Sequence, residues 1–368
     1  MEQIKRNWTY DFIRAFAIIS VVFCHSIESV YYIFQDRSIL YSGLSFQSKI
    51  FDLLGITFGR LGVPLFLFLT GVLICNKEFN NEEDLKKFYK RKFIPLLITL
   101  EIWFIIWNVF IAFYFNWRGE VSNISLFSLF QNILLLKKVD YILPAWYAPL
   151  ILGIYLIIPF ISIIIKKINY KFMKWLILIG VTYFFIIPSI NLILNTFGVN
   201  IIGNIDFYFS DGIYGHYGIY ILYVILGFYI GNGLLKNIKK VTLYIIFFIS
   251  FISCVVLQYC LTINDIFYKL GYENIFLFIA CCALIELFRR LPVKGKVANL
   301  FIKLSKISFP IFLIHNLIQY IIYQSNIFSD FIRPLNVICN FILTMIITVL
   351  IIKILSLNKY TKKYLLKV

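Results

Sequence analysis

The residues best suited to chemistry lie in the first apolar segment, which Asp11, Arg14, His25 and Glu28 interrupt. On a helix, Arg14 and His25 fall within ~20° of each other around the axis and ~16 Å apart along it. Glu28 lies one turn beyond His25, where a carboxylate can fix the tautomer of the ring and raise its basicity. Ionisable groups at membrane depth are costly and usually mark function. This stripe therefore predicts an anion held at one end and a reactive imidazole at the other.

Structural roles are the alternative for these side chains. His25 can make a hydrogen bond between helices, and Asp11 and Arg14 can form a pair at the membrane interface, with the arginine reaching toward water. Because Arg14 and His25 share one helix face, the functional interpretation is favoured.

The second apolar segment places Arg60 and Pro64 inside the membrane. Proline removes a backbone hydrogen bond, and neighbouring groups must satisfy the freed carbonyl. Arg60 is expected near the depth of His25, because the first segment runs outward and the second runs inward. A buried guanidinium there can hold a carbonyl oxygen, a phosphate or a carboxylate. The alternative is a structural pair with Asp52, Glu28 or the freed carbonyl groups.

Two further groups of residues are candidates for binding. Lys90, Arg91 and Lys92 belong to the densest basic cluster of the chain, which can bind the phosphates of a cytosolic donor or touch anionic lipid as a topology signal. Trp146 and Tyr147 open the fourth apolar segment. Such rings are ordinary interfacial anchors, but they also stack on sugars.

A second intramembrane histidine, His315, is a candidate substrate-binding residue, with a hydrogen bond between helices as the alternative. The seven cysteines lie in or beside apolar segments and lack metal-ligand spacing. The sequence therefore predicts neither a metal site nor a disulfide framework.

The composition of the chain indicates that membrane-spanning segments position these residues. Hydrophobic residues make up 61% of the 368 positions, which is typical of a polytopic membrane protein rather than of a soluble domain. The net charge of +17 sits in short loops, so membrane topology explains it better than nucleic-acid binding does. No low-complexity linker divides the chain, and one transmembrane domain over residues 1–368 is expected.

About ten apolar stretches are long enough to cross a bilayer as helices. They cover residues 11–33, 51–75, 93–115, 144–165, 173–194, 217–235, 242–262, 272–288, 307–325 and 332–356. Lys and Arg are concentrated in alternate loops, which predicts that both termini are cytoplasmic. The shorter stretch 125–136 is expected at the interface. The outer loops are acidic and aromatic, as in Asp206, Tyr208, Asp211, Tyr214 and His216.

In combination, these motifs resemble the acyltransferase 3 family of bacterial integral-membrane O-acyltransferases. The specific motifs are Asp11-x-x-Arg14 with His25, and Arg60-x-x-x-Pro64-x-Phe66 ending at Gly71. Weaker motifs come after them in the expected order: Lys90-Arg91-Lys92 with Pro95, Trp146-Tyr147 followed by residues 150–159, and Ser308-x-Pro310-Ile-Phe-Leu-Ile-His315. The chain departs from the family at Tyr147, because members usually have a Trp-Phe pair there.

The resemblance implies an all-α domain of ten helices that takes an acyl group, usually acetyl, from cytosolic acetyl-CoA or another acyl-CoA. The acceptor is a hydroxyl of a surface polysaccharide, or of its lipid-linked precursor, on the outer face of the bacterial cytoplasmic membrane. The resemblance is to the stand-alone members, which lack the extracytoplasmic esterase-like domain.

Transfer from a thioester to a hydroxyl needs a base for the hydroxyl proton and a group that stabilises an oxyanion. His25 is the candidate base and Glu28 its orienting partner, and Arg60 and Arg14 are candidates for holding the oxyanion or the donor phosphates. The donor phosphates are expected at the basic residues Arg14, Lys90, Arg91 and Lys92. The acceptor is expected at Trp146, Tyr147 and His315.

Two other classes of protein fit the helix count. A transporter of lipid-linked saccharide usually has internal repeats, but neither the Arg14…His25 pattern nor the Arg60…Pro64 pattern occurs a second time. A non-catalytic partner of a polysaccharide synthase can dispense with His25, which this chain retains.

Overall fold

The computed structural model describes residues 8–31, 43–119, 125–134, 136, 142–199, 217–264, 270–292 and 295–367, and within these ranges it contains helices and no strand. The predicted acidic and aromatic group of the outer loops, residues 206–216, lies outside the described residues. The same holds for residues 1–7 and 368 at the two ends of the chain.

The α-helices have the following bounds in chain order: α1 Trp8–Tyr31, α2 Phe46–Arg60, α3 Gly62–Ile74, α4 Glu82–Phe88, α5 Ile94–Trp117, α6 Leu126–Ile133, α7 Tyr147–Lys167, α8 Tyr170–Val181, α9 Ile187–Thr196, α10 Tyr217–Gly231, α11 Lys240–Ile263, α12 Ile275–Arg289, α13 Gly295–Lys306, α14 Ser308–Gln324 and α15 Arg333–Leu355. A 3₁₀ turn, Leu143–Trp146, leads into α7. Three π-helical turns complete the described elements: Tyr89–Phe93, Thr182–Ile186 and Thr361–Leu366.

The prediction of an all-α polytopic membrane protein is confirmed. Each predicted span contains at least one helix. Among the described residues, seven helical segments are long and apolar enough to cross a membrane, and the bent pair α13–α14 would make an eighth. Helices α10 and α12 have only 15 residues each. The number ten and the cytoplasmic termini therefore stay predictions.

The second predicted span is divided into α2 and α3 at Leu61. Pro64 has no N–H to donate to the carbonyl of Arg60, so the helical hydrogen-bond ladder is interrupted there. At the break the N–H of Leu61 donates to the carbonyl of Phe58 at 3.2 Å, an i to i−3 bond. The break leaves Arg60 as the last residue of α2, inside the bundle rather than at its surface.

Helix α1 lies at the centre of the bundle. It contacts α2, α3, α12, α13, α14 and α15, and 72% of its most apolar window is buried, against 17% for the segment Tyr170–Thr196. Gly59 on α2 allows close contact with α1, because a Cβ there would collide with Cys24, the neighbour of His25. Small residues commonly permit such close approach between helices in membranes. The interior position of α1 places its polar stripe inside the protein.

Residues 295–306, which lie between the predicted spans 272–288 and 307–325, form helix α13. It meets α14 at an angle of 72° at Ile307, and it packs on the first turns of α1. The hydroxyl of Ser305 donates to the Asp11 carboxylate at 2.7 Å. Arg14 has no ion pair among the described residues. The Asp11–Arg14 pair considered as an alternative is therefore not formed.

Candidate active site

A cavity of about 600 Å³ runs through the bundle beside α1. Arg14 and His25 both line it, and their separation of ~16 Å along the helix gives a minimum for its length. Its middle is apolar and includes Val63, Phe66 and Leu69. A cavity of this volume is within the usual range for small-molecule and cofactor sites.

His25, Glu28, Arg60 and Tyr272 form a continuous hydrogen-bonded relay. His25 Nδ1 lies 2.7 Å from Glu28 Oε2. The other carboxylate oxygen of Glu28 accepts from Arg60 Nη2 at 3.0 Å, and Arg60 Nη1 donates to the Tyr272 hydroxyl at 3.2 Å. The expected contact between His25 and Glu28 is confirmed, and Arg60 pairs with Glu28, one of the partners considered for it.

The relay fixes the tautomer of His25. An ionised carboxylate only accepts hydrogen bonds, so His25 donates to Glu28 from Nδ1, and the neutral form of the ring has its lone pair on Nε2. The imidazole lines the cavity, and Nε2 has no hydrogen-bond partner among the described residues. A neutral imidazole with a carboxylate behind it is the arrangement of a general base, since the carboxylate stabilises the imidazolium that forms.

Arg60 and Glu28 lie behind His25 rather than on the cavity wall. Both are buried, and neither belongs to the lining, whereas His25 and Tyr272 do. The guanidinium also lies over the Tyr272 ring, 5.3 Å from its centroid. Arg60 is therefore placed to hold Glu28 and Tyr272 in position.

Tyr272 is the functional candidate that sequence reasoning missed. It lies in the turn before α12, and its carbonyl accepts from the Tyr223 hydroxyl at 2.9 Å, which anchors the backbone. Because its phenol oxygen accepts from Arg60, its own O–H is left to donate to another acceptor. No spacing in the chain distinguishes this tyrosine from the 24 others that make up the total of 25.

Aromatic rings form one wall of the cavity near His25. Trp146 and Tyr147, both predicted, line it. The Trp146 ring lies 5.6 Å from Tyr272 and 5.8 Å from Tyr220 between centroids, and Tyr147 meets Phe312 edge to face at 5.4 Å. Aromatic rings that line a cavity can stack on a flat apolar face of a ligand.

His315 packs against the ring of His25. The two rings are stacked with centroids 5.3 Å apart. His315 Nδ1 donates to the Ile311 carbonyl at 2.8 Å, and the side chain is fully buried. His315 does not line the cavity, so the structure places it beside the base rather than in the aromatic wall.

The end of the cavity remote from His25 is cationic. Of the predicted donor-binding residues, Arg14 and Lys92 line it, whereas Lys90 and Arg91 lie outside it. Three lysines that were not singled out also line this end: Lys77, Lys306 and Lys367. The cationic end joins residues from both ends of the chain, and their convergence is a consequence of the fold.

The lysines of this end influence one another. Burial, and then the charge of Lys92, lowers the pKa of Lys77. The same two causes lower the pKa of Lys367 to about 8. Both effects act against the charged form, as expected when cations are gathered with little water between them.

Comparison with known proteins gives one match. The family Acyl_transf_3, described as an acyltransferase domain, matches residues 7–355. No curated protein and no solved structure matches the chain.

Proposed function

This chain belongs to the acyltransferase 3 family, which makes it a membrane acyltransferase, and on that premise we propose that it is an O-acetyltransferase. The donor is cytosolic acetyl-CoA, and the acceptor is a hydroxyl of a surface polysaccharide or of its lipid-linked precursor. The acceptor lies on the outer face of the bacterial cytoplasmic membrane. The observation that carries this proposal is a continuous cavity that joins a cationic end to a carboxylate-backed histidine.

The transfer begins with the acceptor hydroxyl. His25 Nε2 takes the hydroxyl proton while the oxygen attacks the thioester carbonyl carbon, and Glu28 stabilises the imidazolium. The tetrahedral intermediate carries its negative charge on the former carbonyl oxygen. When the C–S bond breaks, the CoA thiolate leaves and takes the proton from His25. The products are the acetyl ester and CoA, and His25 is neutral again.

The other groups have supporting roles in this proposal. Tyr272 donates its hydroxyl proton in a hydrogen bond to the oxyanion, and Arg60 holds both Tyr272 and Glu28 in place. Trp146 and Tyr147 stack on the sugar of the acceptor. His315 supports the ring of His25 by stacking on it.

The test of the function is the acetylation of the surface glycans of the host. We expect a deletion strain to lose ester-linked acetyl groups from these glycans, measured by mass spectrometry before and after mild base. The intact gene should restore them, and a gene for the His25→Ala protein should not. A deletion strain that makes less glycan, but with unchanged acetylation, would favour a transporter of lipid-linked saccharide instead.

Replacement of Tyr272 by phenylalanine is expected to lower kcat by ~10²-fold, the typical effect of removing one oxyanion donor. The KM for acetyl-CoA should change little, because the phenol acts on charge that develops in the transition state. The measurement is release of CoA from acetyl-CoA in detergent, in the presence of glycan extracted from the deletion strain.

The matched control is Tyr220→Phe, since this ring lies 6.1 Å from Tyr272 but belongs to neither the relay nor the lining. It should keep nearly normal kcat. Equal kcat for the Tyr272→Phe and wild-type proteins, or a change in KM alone, would remove Tyr272 from the chemical step.

A further inference from the structure

The cationic end of the cavity is assembled from segments that are far apart in the chain. Its members are Arg14 of α1, Lys77 after α3, Lys92 of the π-helical turn before α5, Lys306 at the end of α13 and Lys367 after the last π-helical turn. Positive-inside topology predicts lysines in every cytoplasmic loop, but the side chains of this group also line one cavity.

Carboxylates do not neutralise these cations within the described ranges. None of the five has an ion pair in the part of the chain that the structure describes, although lysines outside the cavity do: Lys166 pairs with Glu78 at 3.0 Å, and Lys86 pairs with Glu82 at 2.8 Å. Cations brought together without a counter-ion repel one another and attract a polyanion. Burial first, and then the charge of Lys92, lowers the pKa of both Lys77 and Lys367.

The segment that carries Lys367 is docked against the bundle. The indole N–H of Trp103 donates to the carbonyl of Leu365 at 2.8 Å, and Leu366 is fully buried. Lys367 Nζ lies 3.4 Å from the carbonyl of Lys92 and 5.9 Å from the centroid of the Phe309 ring. These contacts hold the ammonium on the lining of the cavity, at its cationic end.

We propose that Lys367 and Lys77, together with Arg14 and Lys92, bind the phosphate groups of the CoA donor, so that the C-terminal segment forms part of the donor site. This inference rests on the proposed function. CoA carries a diphosphate and a 3′-phosphate at the end of the molecule remote from its thiol. With these groups at the cations, the pantetheine arm lies along the apolar middle of the cavity and carries the thioester toward His25.

Phosphates at this opening have a second source, because the headgroups of anionic lipids carry the same chemistry and also gather near cytosolic lysines. The two sources differ in the part of the molecule that is attached to the phosphate. Only CoA places a pantetheine arm and a thioester in the cavity. CoA and an anionic lipid must therefore be compared on the same variants.

The experiment compares Lys367→Met with Lys362→Met in the full chain in detergent. Lys362 lies in the π-helical turn that immediately precedes Lys367, is exposed and does not line the cavity, so it controls for a general loss of charge. The Kd for CoA is measured by calorimetry. Loss of a charge-assisted hydrogen bond predicts a Kd about tenfold higher for Lys367→Met and an unchanged Kd for Lys362→Met. Lys77→Met should act like Lys367→Met and serves as the second variant.

Affinity for pantetheine, which lacks the phosphates, should be the same in all these proteins. Binding to phosphatidylglycerol vesicles should also be equal for Lys367→Met and Lys362→Met. Wild-type affinity for CoA in both Lys367→Met and Lys77→Met would overturn the inference and leave the proposed function intact. So would a selective loss of lipid binding with CoA affinity retained. A wild-type protein that does not bind CoA would overturn the proposed donor and this inference together.

Discussion

Replacing His25 with alanine is expected to lower the rate of acetyl transfer by about 10²–10⁴-fold, the usual contribution of a general base. The imidazole lines the cavity, its Nδ1 is held by Glu28 at 2.7 Å, and its Nε2 is left to accept a proton. The alanine protein should still fold, because a small cavity beside His315 costs far less than the packing of a polytopic bundle provides. Release of CoA and transfer of labelled acetyl to extracted glycan measure the rate.

Two controls separate the chemical role of His25 from a structural one. The Kd for CoA should be unchanged in His25→Ala, because the proposed phosphate site lies at the other end of the cavity. His315→Ala should lower the melting temperature, since it removes a fully buried ring stacked on His25, and should reduce the rate only in part. A folded His25→Ala protein with near-normal transfer would refute the assignment, and equal losses of rate in both variants would weaken it.

The arrangement along α1 could be predicted because helical geometry alone determines it. Arg14 and His25 share a helix face wherever that helix packs in the protein, and in the structure both side chains line one cavity. The contact between His25 and Glu28 is likewise local, at a separation of three residues. The length of each apolar stretch predicted the positions of the helices, because it too depends only on residues that are neighbours in the chain.

Contacts between distant segments could not be predicted in this way. Tyr272 reaches Arg60 across 212 residues, and Leu365 reaches Trp103 across 262. No local pattern in the sequence indicates that either pair of residues is in contact. The basic cluster shows the same limit at short range, because Lys92 lines the cavity while its neighbour Arg91 does not. Which of these two side chains reaches the cavity depends on how the π-helical turn Tyr89–Phe93 packs against α7.

The second large effect concerns the buried ion pair between Glu28 and Arg60. Replacing either residue alone with glutamine is expected to destabilise the protein by about 3–5 kcal/mol, because the remaining charge is buried without its partner. The pair is 3.0 Å apart, with exposed fractions of 2% for Glu28 and 8% for Arg60. Thermal unfolding in detergent measures the loss, and surface replacement of Glu82, whose pair with Lys86 is exposed, serves as the control with little effect.

The double variant Glu28→Gln, Arg60→Gln separates the two roles of Glu28. With both charges removed, no unpaired charge stays buried, so the double variant should be more stable than either single variant. Its activity should nevertheless stay low, because glutamine cannot stabilise the imidazolium of His25 as a carboxylate does. If activity returned together with stability, Glu28 would serve only as the counter-ion of Arg60. Stability without activity would identify Glu28 as the residue that positions and polarises the base.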